Sequence, residues 1–198
     1  MAAIWTVAGP DNRIEFQPPP GSVQMRFRAL PSAAALMLVP AFASAQSNPV
    51  ATAFRENAKE AEKNLIAASE ELDGSKYGFK PTPAQMSFGD IVAHLSQGND
   101  FLCGNIGGMK APTRAKVATT AGKAALMTRL KETFAFCDQA LASLDDSKLS
   151  EQVPWFGGGK ITRAAMMTAT TADWADHYSQ QAIYLRLNGK LPPTAKKP

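Results

Sequence analysis

Residues 161–189 read ITRAAMMTATTADWADHYSQQAIYLRLNG, and this stretch decides the fold. It is long enough for about eight helical turns, and Asn188-Gly189 ends it with a C-terminal cap signal. Pro192-Pro193 bars any continuation. Within it Asp173 and His177 stand at i, i+4, on one face of the helix. Three further stretches carry helix signals. Residues 48–72 place Phe54, Ala58, Ala61, Leu65, Ala68 and Leu72 at three- and four-residue steps. Residues 84–106 carry Met86, Phe88, Ile91, Leu95, Phe101, Leu102 and Ile106, with Ser87 and Asp90 in a capping-box arrangement and Gly107-Gly108 as the stop. Residues 121–144 carry Ala125, Leu126, Leu130, Phe134, Cys137, Leu141 and Leu144 on one side. Asp73-Gly74-Ser75 and the Pro81 to Pro83 connector separate the first two, and residues 109–120 read as a loop. No strand alternation stands out. Four helices of about 24 residues point to an all-α four-helix bundle.

The N-terminal segment stands apart. Met25-Arg26-Phe27-Arg28 is basic, Ala29 to Ala43 is apolar, and Ala43-Ser44-Ala45 is a small-x-small cleavage pattern. Residues 25–45 therefore read as a signal peptide, and export to the periplasm or beyond is expected. The apolar run, broken by Pro31 and Pro40, is too short to span a membrane, so no membrane contact is expected after cleavage. Residues 1–24 precede this signal and read as a mis-annotated extension, with translation starting at Met25. The mature chain then begins at Gln46 and has 153 residues, with 18 Lys and Arg against 15 Asp and Glu. The folded domain is expected over 46–193, and residues 194–198 as a disordered basic tail.

The whole 198-residue chain has a net charge of +4, too small and scattered for a nucleic-acid footprint. Two cysteines exclude a four-cysteine zinc site, and two histidines exclude a three-histidine centre within one chain. A metal site here must recruit a carboxylate, a thiolate or a neighbouring subunit. His94, near the middle of the second helix, and the Asp173–His177 pair supply two imidazoles and a carboxylate, a facial set that leaves room for water or substrate. The plainer alternative is a surface ion pair and a core histidine. Tyr178 and Tyr184 share the last helix with His177, and Trp155 lies in the loop Trp155-Phe156-Gly157-Gly158-Gly159-Lys160. These three are candidate pocket residues, with bundle packing as the alternative. The glycine run lacks the spacing and the Ser/Thr of a phosphate-binding loop, and reads as a hinge with aromatic anchors.

The stretches Pro81–Leu95 and Asp173–Pro193 resemble the second-helix region and the last helix of DinB-like proteins. That resemblance implies an up-down-down-up bundle with parallel middle helices. It also implies a divalent metal, zinc or nickel, held by one histidine of the second helix and an H-x-x-x-H pair of the last. His94 and His177 match two of these positions, and Asp173 stands where the third histidine is implied. A carboxylate there lowers the site's net charge, so weaker zinc binding and a shift towards harder metals are expected. Metal-dependent transfer, of the thiol type, or hydrolysis of a small molecule is the implied function, the metal lowering the pKa of a water or thiol. The competing expectation is a non-catalytic bundle with a decayed site that binds a ligand or serves a structural or stress role. A homodimer that completes the site or covers an apolar face is a further expectation. For Cys103 and Cys137, antiparallel helices would set them roughly 20 Å apart along the axis, and parallel ones would set them level. Residues 107–120, able to span about 45 Å, permit the parallel case. The implied topology selects it, and with it a Cys103–Cys137 bridge rather than two buried thiols.

Overall fold

The structure, a computed structural model, describes residues 48–196. The extension and the signal peptide lie outside the described residues. The four helices are α1 (Pro49–Glu71), α2 (Phe88–Gly107), α3 (Lys123–Leu141) and α4 (Arg163–Leu187). The ends of α1 and α2 are set by identifiable caps. Pro49 occupies the first turn of α1, where a missing N–H costs nothing. Val50 and Ala51 donate their backbone N–H groups to the Asp146 carboxylate at 3.1 and 2.7 Å, a distant acid acting as the cap. At α2, Ser87 Oγ accepts from Asp90 N–H at 3.0 Å while the Asp90 carboxylate accepts from Ser87 N–H at 2.8 Å. Gly108, at φ 73°, closes the same helix in the left-handed region.

The helices enclose one apolar core in which Phe88, Ile91, Leu95, Leu130, Phe134, Met166, Trp174 and Leu185 are fully buried or nearly so. Contacts along α2 and α3 advance together: Gly89 lies against Leu126, Asn99 against Thr133, Cys103 is bonded to Cys137, and Gly107 meets Ala140. The two helices therefore run in the same direction. Contacts between α2 and α4 advance oppositely. Met86 pairs with Tyr184, His94 with His177, Asn99 with Trp174, and Asn105 with Arg163. The disulfide joins Cys103 and Cys137 with Cα atoms 5.0 Å apart.

One feature differs from the sequence reading. A hairpin precedes α4, with β1 (Gln152–Pro154) antiparallel to β2 (Lys160–Thr162) and Val153 opposite Ile161. Three-residue strands, one with a single buried side chain, are too short to register as alternation. The C-terminal segment also packs on the bundle through residue 196. Pro193–Ala195 forms a helical turn, Thr194 N–H donates to Tyr178 Oη at 3.1 Å, and Lys196 pairs with Glu71 at 2.6 Å. Among the described residues no helix is long and apolar enough to cross a membrane.

Candidate metal centre

His94 lies seven residues beyond the Ser87 cap, so the α2 start fixes its angular position. Asp173 and His177 come from the middle of α4. Trp174, next to Asp173, donates its indole N–H to Asn99 Oδ1 at 2.9 Å, and Asn99 in turn reaches Thr133 Oγ1 at 3.4 Å. This buried polar chain ties α4 to α2 and α3 and sets the register that brings the three residues together.

Asp173 Oδ1 is 3.3 Å from His177 Nε2 and 3.4 Å from His94 Nε2. One ligand atom from each residue lies within 4.8 Å of the others. Donors about 2.05 Å from a tetrahedral ion stand about 3.3 Å apart, so both carboxylate–imidazole separations match that edge. The rings of His94 and His177 meet edge to face with centroids 4.7 Å apart. His177 is buried, with 8% of its side chain exposed, whereas His94 is 50% and Asp173 32% exposed. The group is therefore anchored on one side and open to solvent on the other.

The electrostatics agree with a cation-seeking site. Burial pushes the Asp173 carboxyl up, but hydrogen bonds from His177 and His94, and their charge when protonated, overcome it and hold the group well below the usual carboxylate range. The hydrogen bond to Asp173 raises the pKa of His94 against the opposing effect of partial burial. His177 Nδ1 is buried without a hydrogen-bond partner. The ring thus directs only its Nε2 into a polar contact, and that nitrogen faces Asp173. Two imidazole nitrogens and an ionised carboxylate oxygen form a donor set that fits zinc, nickel or a harder divalent ion.

The structure does not bring the three candidate pocket residues to this group. The Tyr178 hydroxyl pairs with Thr194 Oγ1 at 2.8 Å, and its ring lines a small cleft between α1 and α4 with Asn57 and Asn64. Tyr184 is buried in the core, donates to Met86 O at 2.9 Å and packs edge to face on Phe79. Trp155 packs on Phe156 at 4.9 Å in the hairpin tip. Tyr184 does share His177's angular position, but seven residues carry it two turns away, into the layer that seats the start of α2. One structural residue gives no sign in the sequence: Arg163, nearly buried at the start of α4. It donates to the carbonyls of Asn105 and Ile106, which end α2, and to Glu151 at 2.7 Å.

Residues 57–181 match the DinB superfamily. The chain belongs to that superfamily. Among solved structures, this DinB chain is similar to a DinB-like protein from Bacillus cereus (12% identity, TM-score 0.61, 72% of this chain and 95% of that one). It is also similar to a DinB-like protein from Bacillus subtilis (18% identity, TM-score 0.55, 69% and 92%). A mycothiol-dependent maleylpyruvate isomerase shares the fold at 12% identity and TM-score 0.53, over 65% of this chain and 59% of the isomerase. No curated protein matches this chain in sequence.

Proposed function

We propose that this DinB protein holds a divalent metal ion at His94, Asp173 and His177 and uses it in transfer or hydrolysis on a small molecule. One observation carries the reading. Residues 79 positions apart in the chain converge at 3.4 Å, and the i, i+4 partner converges at 3.3 Å, with every donor of a type that binds divalent metals. When bound, such an ion acts as a Lewis acid that lowers the pKa of a water or thiol and so supplies a nucleophile near neutral pH. His177 is the fixed donor, held by burial. Asp173 stays ionised and sets the charge of the group. His94 and Asp173 form its exposed rim, where a small molecule reaches it from solvent. The thiol-transfer version draws on the fold shared with the mycothiol-dependent isomerase. Zinc or nickel is the ion implied by the family resemblance, and the Asp173 carboxylate widens the choice towards harder ions. The Met25–Ala45 segment and the Cys103–Cys137 bridge support action in the periplasm or outside the cell.

Metal analysis of the purified protein, with calorimetric titration of the metal-free form, tests the reading. Stoichiometric divalent metal, a rise in Tm on loading and the loss of both in His177→Ala are expected. No bound metal, and no effect of His177→Ala on the melting of protein exposed to metal, would leave a non-catalytic bundle instead.

A further inference from the structure

We propose that the hairpin tip between β1 and β2 is an apolar shelf for the tail of whatever ligand the metal centre takes. The ligand class then follows: a small molecule with a metal-binding head and an aromatic or aliphatic tail. The inference rests on the metal reading above and adds the second half of the binding site.

Three rings meet at this tip. Phe156 packs on Phe101 of α2 with centroids 4.7 Å apart, and Trp155 packs on Phe156 at 4.9 Å. Despite these contacts Phe156 remains 53% exposed. The tip is built to hold that pose. Gly157 and Gly158 adopt φ of 72° and 83°, conformations that L side chains rarely adopt, and Trp155 N–H closes the turn on Gly159 O at 2.8 Å.

The position of Phe101 links the shelf to the metal centre. It follows His94 by seven residues, which on a helix is within about 20° of the same direction and about 10 Å further along. Between them lie Gln97, which is exposed, and Gly98, which has no side chain. A side chain built at Gly98 would meet only Leu102 Cδ1, at 3.7 Å. Across from it, α4 steps from Asp173 towards the hairpin through Ala169 and Ala165, each with a single methyl group. On this placement, a path bordered by the small residues Gly98, Ala169 and Ala165 would lead from His94 and Asp173 towards the Phe156 ring. A polar, charged end and an aromatic end, joined by this path, are the complement of an amphipathic small molecule.

The test uses the full mature chain loaded with cobalt(II), whose visible spectrum reports ligation without any turnover. The probes are acetohydroxamate and a hydroxamate bearing a phenyl group on a chain that spans the ~10 Å. Hydroxamates chelate the ion and leave the disulfide intact. Wild type is expected to bind the phenyl-tailed probe about tenfold tighter than acetohydroxamate. Phe156→Ala should erase that preference while keeping the affinities for cobalt and for acetohydroxamate. Phe156→Tyr, which keeps the ring, should retain the preference. Equal preference in wild type and Phe156→Ala, or no preference in wild type, overturns the shelf while the metal reading stands. Failure of wild type to bind cobalt overturns the metal reading and the shelf with it.

Discussion

At the residue scale the decisive side chain is Asp173. Its carboxylate faces two imidazoles, so in the proposed metal centre it would set both the charge of the group and its choice of ion. Asp173→His restores an all-imidazole set, and its preference for zinc over manganese should rise by about tenfold or more in competitive titration. Equal or lower selectivity would contradict the charge argument. The pH behaviour follows from the same contacts. Metal binding needs a neutral His94, and the raised pKa of His94 means that zinc affinity should fall, as pH is lowered, from a point above the ordinary value of about 6.5. In the metal-free protein the signs are opposite for the two partners. The depressed Asp173 contributes stability above the usual carboxylate value of about 3.9, lost as pH falls through its lowered value. The raised His94 contributes stability below about 6.5, lost as pH rises through its raised value. Asp173→Asn should therefore destabilise the metal-free protein most between about pH 4 and 6.5. The effect should be about 1 kcal/mol, held down by the exposure of His94, and melting curves across pH read it directly.

At the element scale, the strongest dependence is at the end of α2. Arg163 satisfies carbonyls that a helix terminus leaves open, and it does so nearly buried. Arg163→Met keeps much of the volume but strands those carbonyls, and a loss of about 3 kcal/mol in urea unfolding is expected. Gly107 is the complementary case. A Cβ there would stand 1.9 Å from the Ala140 carbonyl oxygen, a backbone atom that cannot rotate aside. Gly107→Ala should cost at least about 2 kcal/mol by the same measurement, since α2 and α3 must separate to admit the methyl. These elements also show what a sequence discloses. The helix bounds were legible to within a few residues because caps are local: Ser87 with Asp90, Gly108, and Asn188 before Gly189 act on their own neighbours. Asp173 and His177 were legible as a pair for the same reason. Joining His94 to them took the expectation of a helical bundle, whose facing helices bring residues together, with the family resemblance in support, because no local spacing relates residues of different helices. The hairpin and the Arg163 clamp were not legible at all. Short strands exist only as a pair, and an arginine finds a helix end only after the bundle has formed.

At the scale of the whole molecule, the feature with the widest reach is the direction of α2 and α3. Neighbouring helices that run the same way need a long return connection, here residues 108–122, and such a connection leaves the pair without a tight turn to hold it. Arg114 partly compensates, pinning the connection to Asp100 at 2.7 Å and to Glu132 at 3.4 Å. The Cys103–Cys137 bridge does the rest by closing a sequence separation of 34 residues, which restricts the unfolded chain. On the chain-entropy account this is worth about 3–4 kcal/mol. Reduced and alkylated protein should lose that amount relative to the oxidised form in urea unfolding. Alkylation without reductant should modify neither cysteine, and two modified thiols would refute the bridge. The bridge ties α2 to α3, whereas the candidate metal centre joins α2 to α4, with Cys103 nine residues, or about 13 Å, along α2 from His94. Zinc affinity measured well below the unfolding transition should therefore be unchanged on reduction. A parallel fall in affinity would show that the α2–α3 pair, and not the Asn99–Trp174 contact, sets the register of the centre.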